Sequence, residues 1–102
     1  MIVLTEQGNV EMEVMYKYGN LQVVKAPMIT PDKFFFNTVH DTGYMLPNSE
    51  HFDLEEAKTI CDFCAENFPE LMTDKMPILS KAKKKEFVFK INSWKLYLMQ
   101  ET

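Results

Sequence analysis

LEEAKTICDFCAENF, residues 54–68, is the stretch that decides the fold, because both of its ends carry helix-boundary signals. Asp53 precedes it and can cap a helix, and Glu56 three residues later completes a capping box. Phe52 can pack back on the first turns as a hydrophobic staple. Pro69 follows the stretch and pushes the residue before it out of helical geometry. These signals predict one continuous α-helix.

One side of this helix is apolar. Its large and small apolar residues recur at alternating spacings of three and four, which places them on a single stripe: Leu54, Ala57, Cys61, Cys64 and Phe68. The acidic residues lie away from that stripe: Glu55, Glu56, Asp62 and Glu66. Cysteine is among the most often buried residue types, so we expect both thiols to pack in the core.

The remaining chain is predicted to form hairpins. VEMEVMYKY, residues 10–18, alternates as a half-buried strand does, and Gly19-Asn20 turns it into LQVVKA. KFFFNTVH precedes Asp41-Thr42-Gly43, which has turn chemistry and predicts a short return strand over residues 44–46. EFVFKI and WKLYLM, separated by Asn92-Ser93, alternate in the same manner and predict a third hairpin.

These elements indicate an α+β fold in which a mainly antiparallel sheet, built from hairpins, packs against one principal α-helix over about residues 53–68. Residues 70–85 fit a short helix and a long loop equally well. The 102 residues suit a single domain with one core, and no linker or internal repeat divides them. We therefore predict a single α+β domain over residues 1–102.

The charges are divided along the chain. The formal net charge is −4, made up of −2 over residues 1–49, −7 over residues 50–74 and +5 over residues 75–102. All 11 basic residues are lysines, and arginine is the residue that reads guanine edges and grips phosphate with two donors. The acidic total and the missing arginines disfavour direct binding of nucleic acid.

The apolar runs are too short to span a membrane, and the start of the chain lacks the pattern of a secretory leader. Two cysteines three residues apart do not make a disulfide framework. We expect a cytoplasmic, reduced protein that makes no use of a membrane.

Catalytic machinery is not visible. The serines lie in turn-like surroundings, and the sequence has no nucleophile elbow and no glycine-rich phosphate loop. A zinc site would have to use His40, His51, Cys61 and Cys64, yet the helical stripe explains both cysteines without metal. A redox role is disfavoured because acidic neighbours oppose thiolate formation. We predict no enzymatic activity, no cofactor and no metal.

Three functions remain as hypotheses. The first is a non-enzymatic module that binds another protein with a basic surface through the acidic helix face and a sheet aromatic: Glu55, Glu56, Asp62, Glu66 and Phe35. Its specific form is a small acidic inhibitor or regulator of a nucleic-acid-handling protein, by analogy with the acidic domains that phages and mobile elements direct against host defences. Self-association as a homodimer through the sheet is compatible with it.

The second hypothesis is a binder of a small ligand or of single-stranded nucleic acid. It would use Phe35 and Tyr16 of the sheet for stacking and a lysine cluster for charge: Lys81, Lys83, Lys84 and Lys85. The third is a zinc-stabilised domain.

Overall fold

The computed structural model describes residues 1–27 and 33–100 of the chain. Its elements are, in chain order, β1 (Ile2–Thr5), β2 (Gly8–Glu11), β3 (Glu13–Tyr18), β4 (Leu21–Pro27), β5 (Phe34–His40), α1 (Leu54–Asn67), a 3-10 turn (Pro69–Leu71) and α2 (Lys81–Gln100). The α+β class is confirmed, with antiparallel strands in two small sheets and two helices packed against them.

The strands pair with their neighbours in sequence. β1 pairs with β2, and β3, β4 and β5 form a three-stranded sheet in that order. The predicted strand over residues 10–18 is divided at Met12, whose N–H donates to the Met1 carbonyl at 2.8 Å. The turn between β3 and β4 is confirmed, with Gly19 at a φ of 59°, in the left-handed region that suits glycine.

The predicted return strand over residues 44–46 makes isolated bridges rather than a full strand. Met45 is paired with Val39 of β5, and Tyr44 is paired with Leu4 of β1. This segment therefore connects the two sheets.

Helix α1 is confirmed close to its predicted bounds. The Glu56 N–H donates to Asp53 Oδ2 at 3.0 Å, as the cap requires. In the reciprocal interaction of a capping box, the Glu56 side chain would accept from the Asp53 N–H. Here the Asp53 N–H donates instead to His51 Nδ1 at 3.0 Å, and the Glu56 carboxylate pairs with His51 Nε2 at 2.9 Å. The staple prediction is wrong, since Phe52 is 73% exposed.

The apolar stripe of α1 forms the centre of the main core, where it meets β4 and α2. The residues of α1 and its C-cap that are buried there are Ala57, Ile60, Cys61, Cys64, Ala65 and Phe68. A second, smaller core lies between the two sheets and includes Val3, Val24 and Val39. The prediction that both cysteines are buried is confirmed.

The prediction of a third hairpin is wrong, because residues 81–100 form one helix. Ser80 begins it: its Oγ accepts from the Lys83 N–H at 3.2 Å, and its carbonyl accepts from the Lys84 N–H at 2.9 Å. The first turns consist of lysine, alanine and glutamate, which are strong helix formers. A second helical stripe faces α1, with spacings of four, three and four: Phe87, Ile91, Trp94 and Leu98. The predicted principal helix α1 therefore packs against a second helix, α2, which is longer than α1.

Candidate functional site: an acidic and aromatic groove between the helices

Aromatic rings join the two helices. Phe68 stacks on Phe87 with ring centroids 4.0 Å apart, and Phe63 stacks on Trp94 at 5.0 Å. Trp94 in turn stacks on Tyr97 at 5.1 Å. Because later residues of α1 meet earlier residues of α2, the helices run antiparallel, and a continuous row of rings follows their seam.

A groove of about 460 Å³ lies beside the Phe63–Trp94 pair. We call it the acidic groove, and its lining residues are Thr59, Asp62, Phe63, Glu66, Asn67 and Trp94. Two carboxylates and two stacked aromatic rings thus share one concave surface. Its volume falls within the range of about 300 to 1,000 Å³ that is usual for ligand-binding clefts.

The two carboxylates of the groove have different surroundings. Asp62 accepts a hydrogen bond of 2.7 Å from the Tyr16 hydroxyl, and this bond, with burial, raises the pKa of Tyr16 to about 12. Asp62 is therefore fixed by the sheet. Glu66 is exposed, and no lysine of the described chain lies within ion-pair distance of it. Glu66 is the carboxylate that is available to a cationic partner.

A second groove, of about 360 Å³, lies on the other side of the same aromatic pair. Its lining is mainly apolar and consists of Phe63, Phe89, Lys90, Ser93, Trp94 and Tyr97. Phe63 and Trp94 therefore form a wall between an acidic groove and an apolar one.

The structure brings together part of the predicted acidic face. Glu55, Asp62 and Glu66 lie with Thr59 on one stripe of α1, because their spacings are four, three and four. Glu55 pairs with Lys58 at 3.1 Å, within its own helix. Glu56 does not lie on this stripe, and its carboxylate pairs with His51. The predicted aromatic contributor Phe35 packs in the second core between the sheets, away from this face.

The aromatic residues of the groove are those that sequence reasoning missed. The alternation of Trp94 with Lys95 predicts a strand, whereas the spacing of Trp94 from Phe87 and Ile91 is that of a helical stripe. Phe63 lies between Asp62 and Cys64, outside the predicted stripe, and the sequence pattern predicts no role for it. The signal that could have found them is the helical period of residues 87–98.

The lysine cluster occupies the beginning of α2, and all four of its side chains are exposed: Lys81, Lys83, Lys84 and Lys85. Lys83 bonds to Glu70, and this bond is the first cause of its raised pKa. Lys84 and Lys85 border a groove of about 620 Å³ that also includes Phe89. The aromatic residues that the second hypothesis assigned to this cluster lie elsewhere, since Tyr16 bonds to Asp62 and Phe35 is in the second core.

The cysteines and histidines are held apart. Burial raises the pKa of the Cys61 and Cys64 thiols to about 12, so both are protonated near neutral pH. His40 is buried, with Nε2 2.8 Å from the Thr73 carbonyl oxygen, and His51 lies at the start of α1. Among residues 1–27 and 33–100, no three His, Cys, Asp or Glu side chains are grouped so that they could hold a metal ion.

Comparison of the chain with protein-family models, with curated proteins and with solved structures found no match. Neither α1 nor α2, the helices of the described chain, combines the length and the apolar character needed to cross a bilayer.

Proposed function

We propose that this chain is a non-enzymatic interaction module that binds a basic segment of another protein in the acidic groove. The observation that carries the proposal is the position of Glu66, a carboxylate with no cation partner among the described residues, beside the stacked Phe63–Trp94 pair. An arginine of a partner suits both features, because its guanidinium stacks on aromatic rings and donates to a carboxylate with a planar fork. A lysine of the partner would contribute only its positive charge, because it lacks the planar guanidinium group.

The wider charge of the region supports the same partner chemistry. Residues 50–74 have a net charge of −7, and a field of one sign speeds the encounter with an oppositely charged surface. Segments that bind nucleic acid are rich in lysine and arginine. The specific form of the proposal is therefore a regulator or inhibitor that occupies the basic surface of a nucleic-acid-handling protein.

The test is a titration of the protein with a hexa-arginine amide peptide, followed by tryptophan fluorescence. Trp94 is the chain's single tryptophan, so the signal reports from the wall of the groove. We expect saturable binding that weakens when salt rises from about 0.05 to about 0.5 M, because screening acts on exposed charges. Glu66→Lys should weaken the peptide affinity roughly tenfold, which corresponds to about 1.4 kcal/mol.

The matched control is Glu13→Lys, which makes the same change of charge at an exposed position of β3, outside the groove. It should leave the peptide affinity within about twofold, since only long-range charge is altered. Equal weakening by the two variants would show that the peptide senses net charge alone, and the proposal would then be wrong.

The same titration distinguishes a nucleic-acid ligand. A single-stranded thymidine oligonucleotide is added in place of the peptide, because stacking and lysine charge suffice for such binding. Tighter binding of the oligonucleotide than of the peptide, lost in Lys84→Glu/Lys85→Glu, would replace the acidic groove by the lysine cluster as the binding site. We expect no such binding.

A further inference from the structure

Strand β5 carries a buried carboxamide, that of Asn37. Phe35, Asn37 and Val39 alternate along the strand and therefore share a face, and Phe35 and Val39 pack in the second core. Asn37 is only 2% exposed, and its Nδ2 has no hydrogen-bond partner in the described part of the chain. A buried donor without a partner lowers stability and asparagine is depleted in strands, so an apolar residue would suit this position better.

Asn37 lines a groove of about 790 Å³ where the two sheets meet. We call it the junction groove, and three other parts of the chain line it: the β1–β2 turn with Glu6, the connection after β5 with Tyr44 and Glu50, and helix α2 with Lys84. Its lining is separate from that of the acidic groove. The Asn37 amide turns readily about its χ2 bond, so it can present either its NH2 or its carbonyl to a ligand in this groove.

Two lysines lie where the junction groove meets its neighbour. The junction groove shares Lys84 and Asn48 with the groove of about 620 Å³ described above, which Lys85 also lines. Both lysines are exposed, and the described residues offer neither of them an ion pair. Glu50 has its Oε1 4.0 Å from Lys95 Nζ instead. Lys84 and Lys85 are therefore available to an anionic group of a ligand.

We propose that the junction groove binds an adenine nucleotide, with adenosine monophosphate as the simplest such ligand. The carboxamide of Asn37 offers a donor and an acceptor side by side, which is the arrangement that pairs with N6 and N7 of adenine. Lys84 and Lys85 hold the phosphate as point charges. The carboxylates of Glu6 and Glu50 accept from ribose hydroxyls, as acidic residues do in dinucleotide sites.

Tyr44 adds an aromatic ring to the same lining. Every base stacks on such a ring, so Tyr44 supplies affinity while Asn37 supplies the preference for adenine. Burial raises the pKa of Tyr44, which keeps its hydroxyl protonated and able to donate. Thymine lacks the N6/N7 edge, so the thymidine oligonucleotide of the earlier titration does not report on this site.

The test is a titration of isotope-labelled protein with adenosine monophosphate, followed by NMR. We expect a saturable shift of the Asn37 side-chain amide signals, with a dissociation constant below about 1 mM. Uridine monophosphate should bind at least about fivefold more weakly, because uracil lacks the N6/N7 edge. Equal affinities for the two nucleotides would refute the role of Asn37. Inorganic phosphate is the control, and the same shifts at the same concentrations of phosphate alone would overturn the proposal.

Asn37→Val replaces the carboxamide by a side chain that suits a strand. The variant should bind adenosine monophosphate at least about tenfold more weakly, because the paired donor and acceptor are lost. Its urea midpoint of unfolding should be unchanged or higher, because the unpartnered donor is removed. A lower midpoint would show that the carboxamide serves the fold, and an unchanged affinity would show that it does not touch the ligand; either result contradicts the proposal.

Lys84→Ala tests the phosphate end without a change in the core. It should weaken nucleotide binding at least about fivefold, because one of the two charges on the phosphate is lost. The matched control is Lys81→Ala, at an exposed lysine of the same helix that lines neither groove. It should leave the affinity within about twofold. Equal weakening by the two variants would show a response to net charge alone and would sink the proposal.

The outcome is independent of the proposed function. Glu66→Lys alters the acidic groove and leaves the junction groove intact, so its affinity for adenosine monophosphate should be unchanged. Asn37→Val should in turn leave the affinity for the hexa-arginine peptide unchanged.

Discussion

Phe87→Ala and Phe89→Ala form a pair of substitutions that tests how α2 is built into the fold. The ring of Phe87 is fully buried and stacks on Phe68 with centroids 4.0 Å apart. Phe89, two residues later, is 72% exposed. On a helix the two positions are about 200° apart around the axis, whereas on a strand they share a face.

The expected losses differ sharply. Truncation of a buried phenylalanine costs about 3 to 5 kcal/mol of unfolding free energy, through lost burial and the cavity left behind. Truncation of Phe89 should change stability by no more than about 0.5 kcal/mol, because little of its area is buried and alanine is a better helix former. If residues 87–91 were the strand that their alternation predicts, the two losses would be similar.

The assay is urea denaturation at low micromolar protein, followed by both tryptophan fluorescence and circular dichroism. With an m-value of about 1 to 1.5 kcal/mol/M, Phe87→Ala should lower the unfolding midpoint by roughly 2 to 5 M. Ile91→Val is a milder probe of the same inner stripe, with an expected loss of about 0.5 to 1.5 kcal/mol, and it keeps the test readable if Phe87→Ala does not fold. Equal losses for Phe87→Ala and Phe89→Ala would refute the helical assignment.

Two further predictions concern the core. The raised pKa values of the Cys61 and Cys64 thiols, about 12 against an ordinary value of 9.0, mean that only the unfolded chain releases these protons as pH rises. Stability should therefore be complete below about pH 8 and fall by about 2 kcal/mol by about pH 9.5 in urea titrations, and Cys61→Ala/Cys64→Ala should remove most of that slope. Ser49→Ala should cost about 1 to 3 kcal/mol in the same assay, because the buried Ser49 Oγ accepts from the Thr38 N–H at 3.1 Å and that donor would lose its partner. The exposed Ser93, whose hydroxyl donates to the Phe89 carbonyl at 3.0 Å, is the control, and an equal loss in Ser93→Ala would contradict this account of Ser49.

The two helices show why sequence reasoning succeeded in one place and failed in another. Helix α1 has an apolar stripe on one side only, with a cap before it and a proline after it, so a single period fits the pattern. Helix α2 has apolar residues on both its inner and its outer side. Two opposite helical stripes together reproduce the alternation of a strand, and Asn92-Ser93 in the middle imitates a turn.

The candidate site could be predicted in part for the same reason. The sequence predicts helix α1 correctly and therefore also predicts its acidic face. Three of the four predicted acidic residues, Glu55, Asp62 and Glu66, lie on one stripe of that helix. Its aromatic wall could not be found, because Trp94 meets Phe63 only when residues 81–100 are helical. Phe35 belongs to a run of three phenylalanines, and the alternation of that run does not show which of its rings pack in the second core.

Ion pairs between the two helical regions neutralise only a few of their opposite charges. The helices meet through aromatic rings, and only two ion pairs join α2 to residues 50–74: Lys83 with Glu70, and Lys95 with Glu50. Lys81, Lys84 and Lys85 have no ion pair with any residue of the described chain.

The position of these lysines is unfavourable for helix α2. Cations at a helix N-terminus oppose the helix dipole, at about 0.3 to 1 kcal/mol for each, and no acidic residue lies in the first turn of α2 to offset them. On this argument Lys84→Glu/Lys85→Glu should raise the urea midpoint of unfolding, because it removes two cations near the N-terminus of α2. A midpoint equal to or below that of the parent would contradict it.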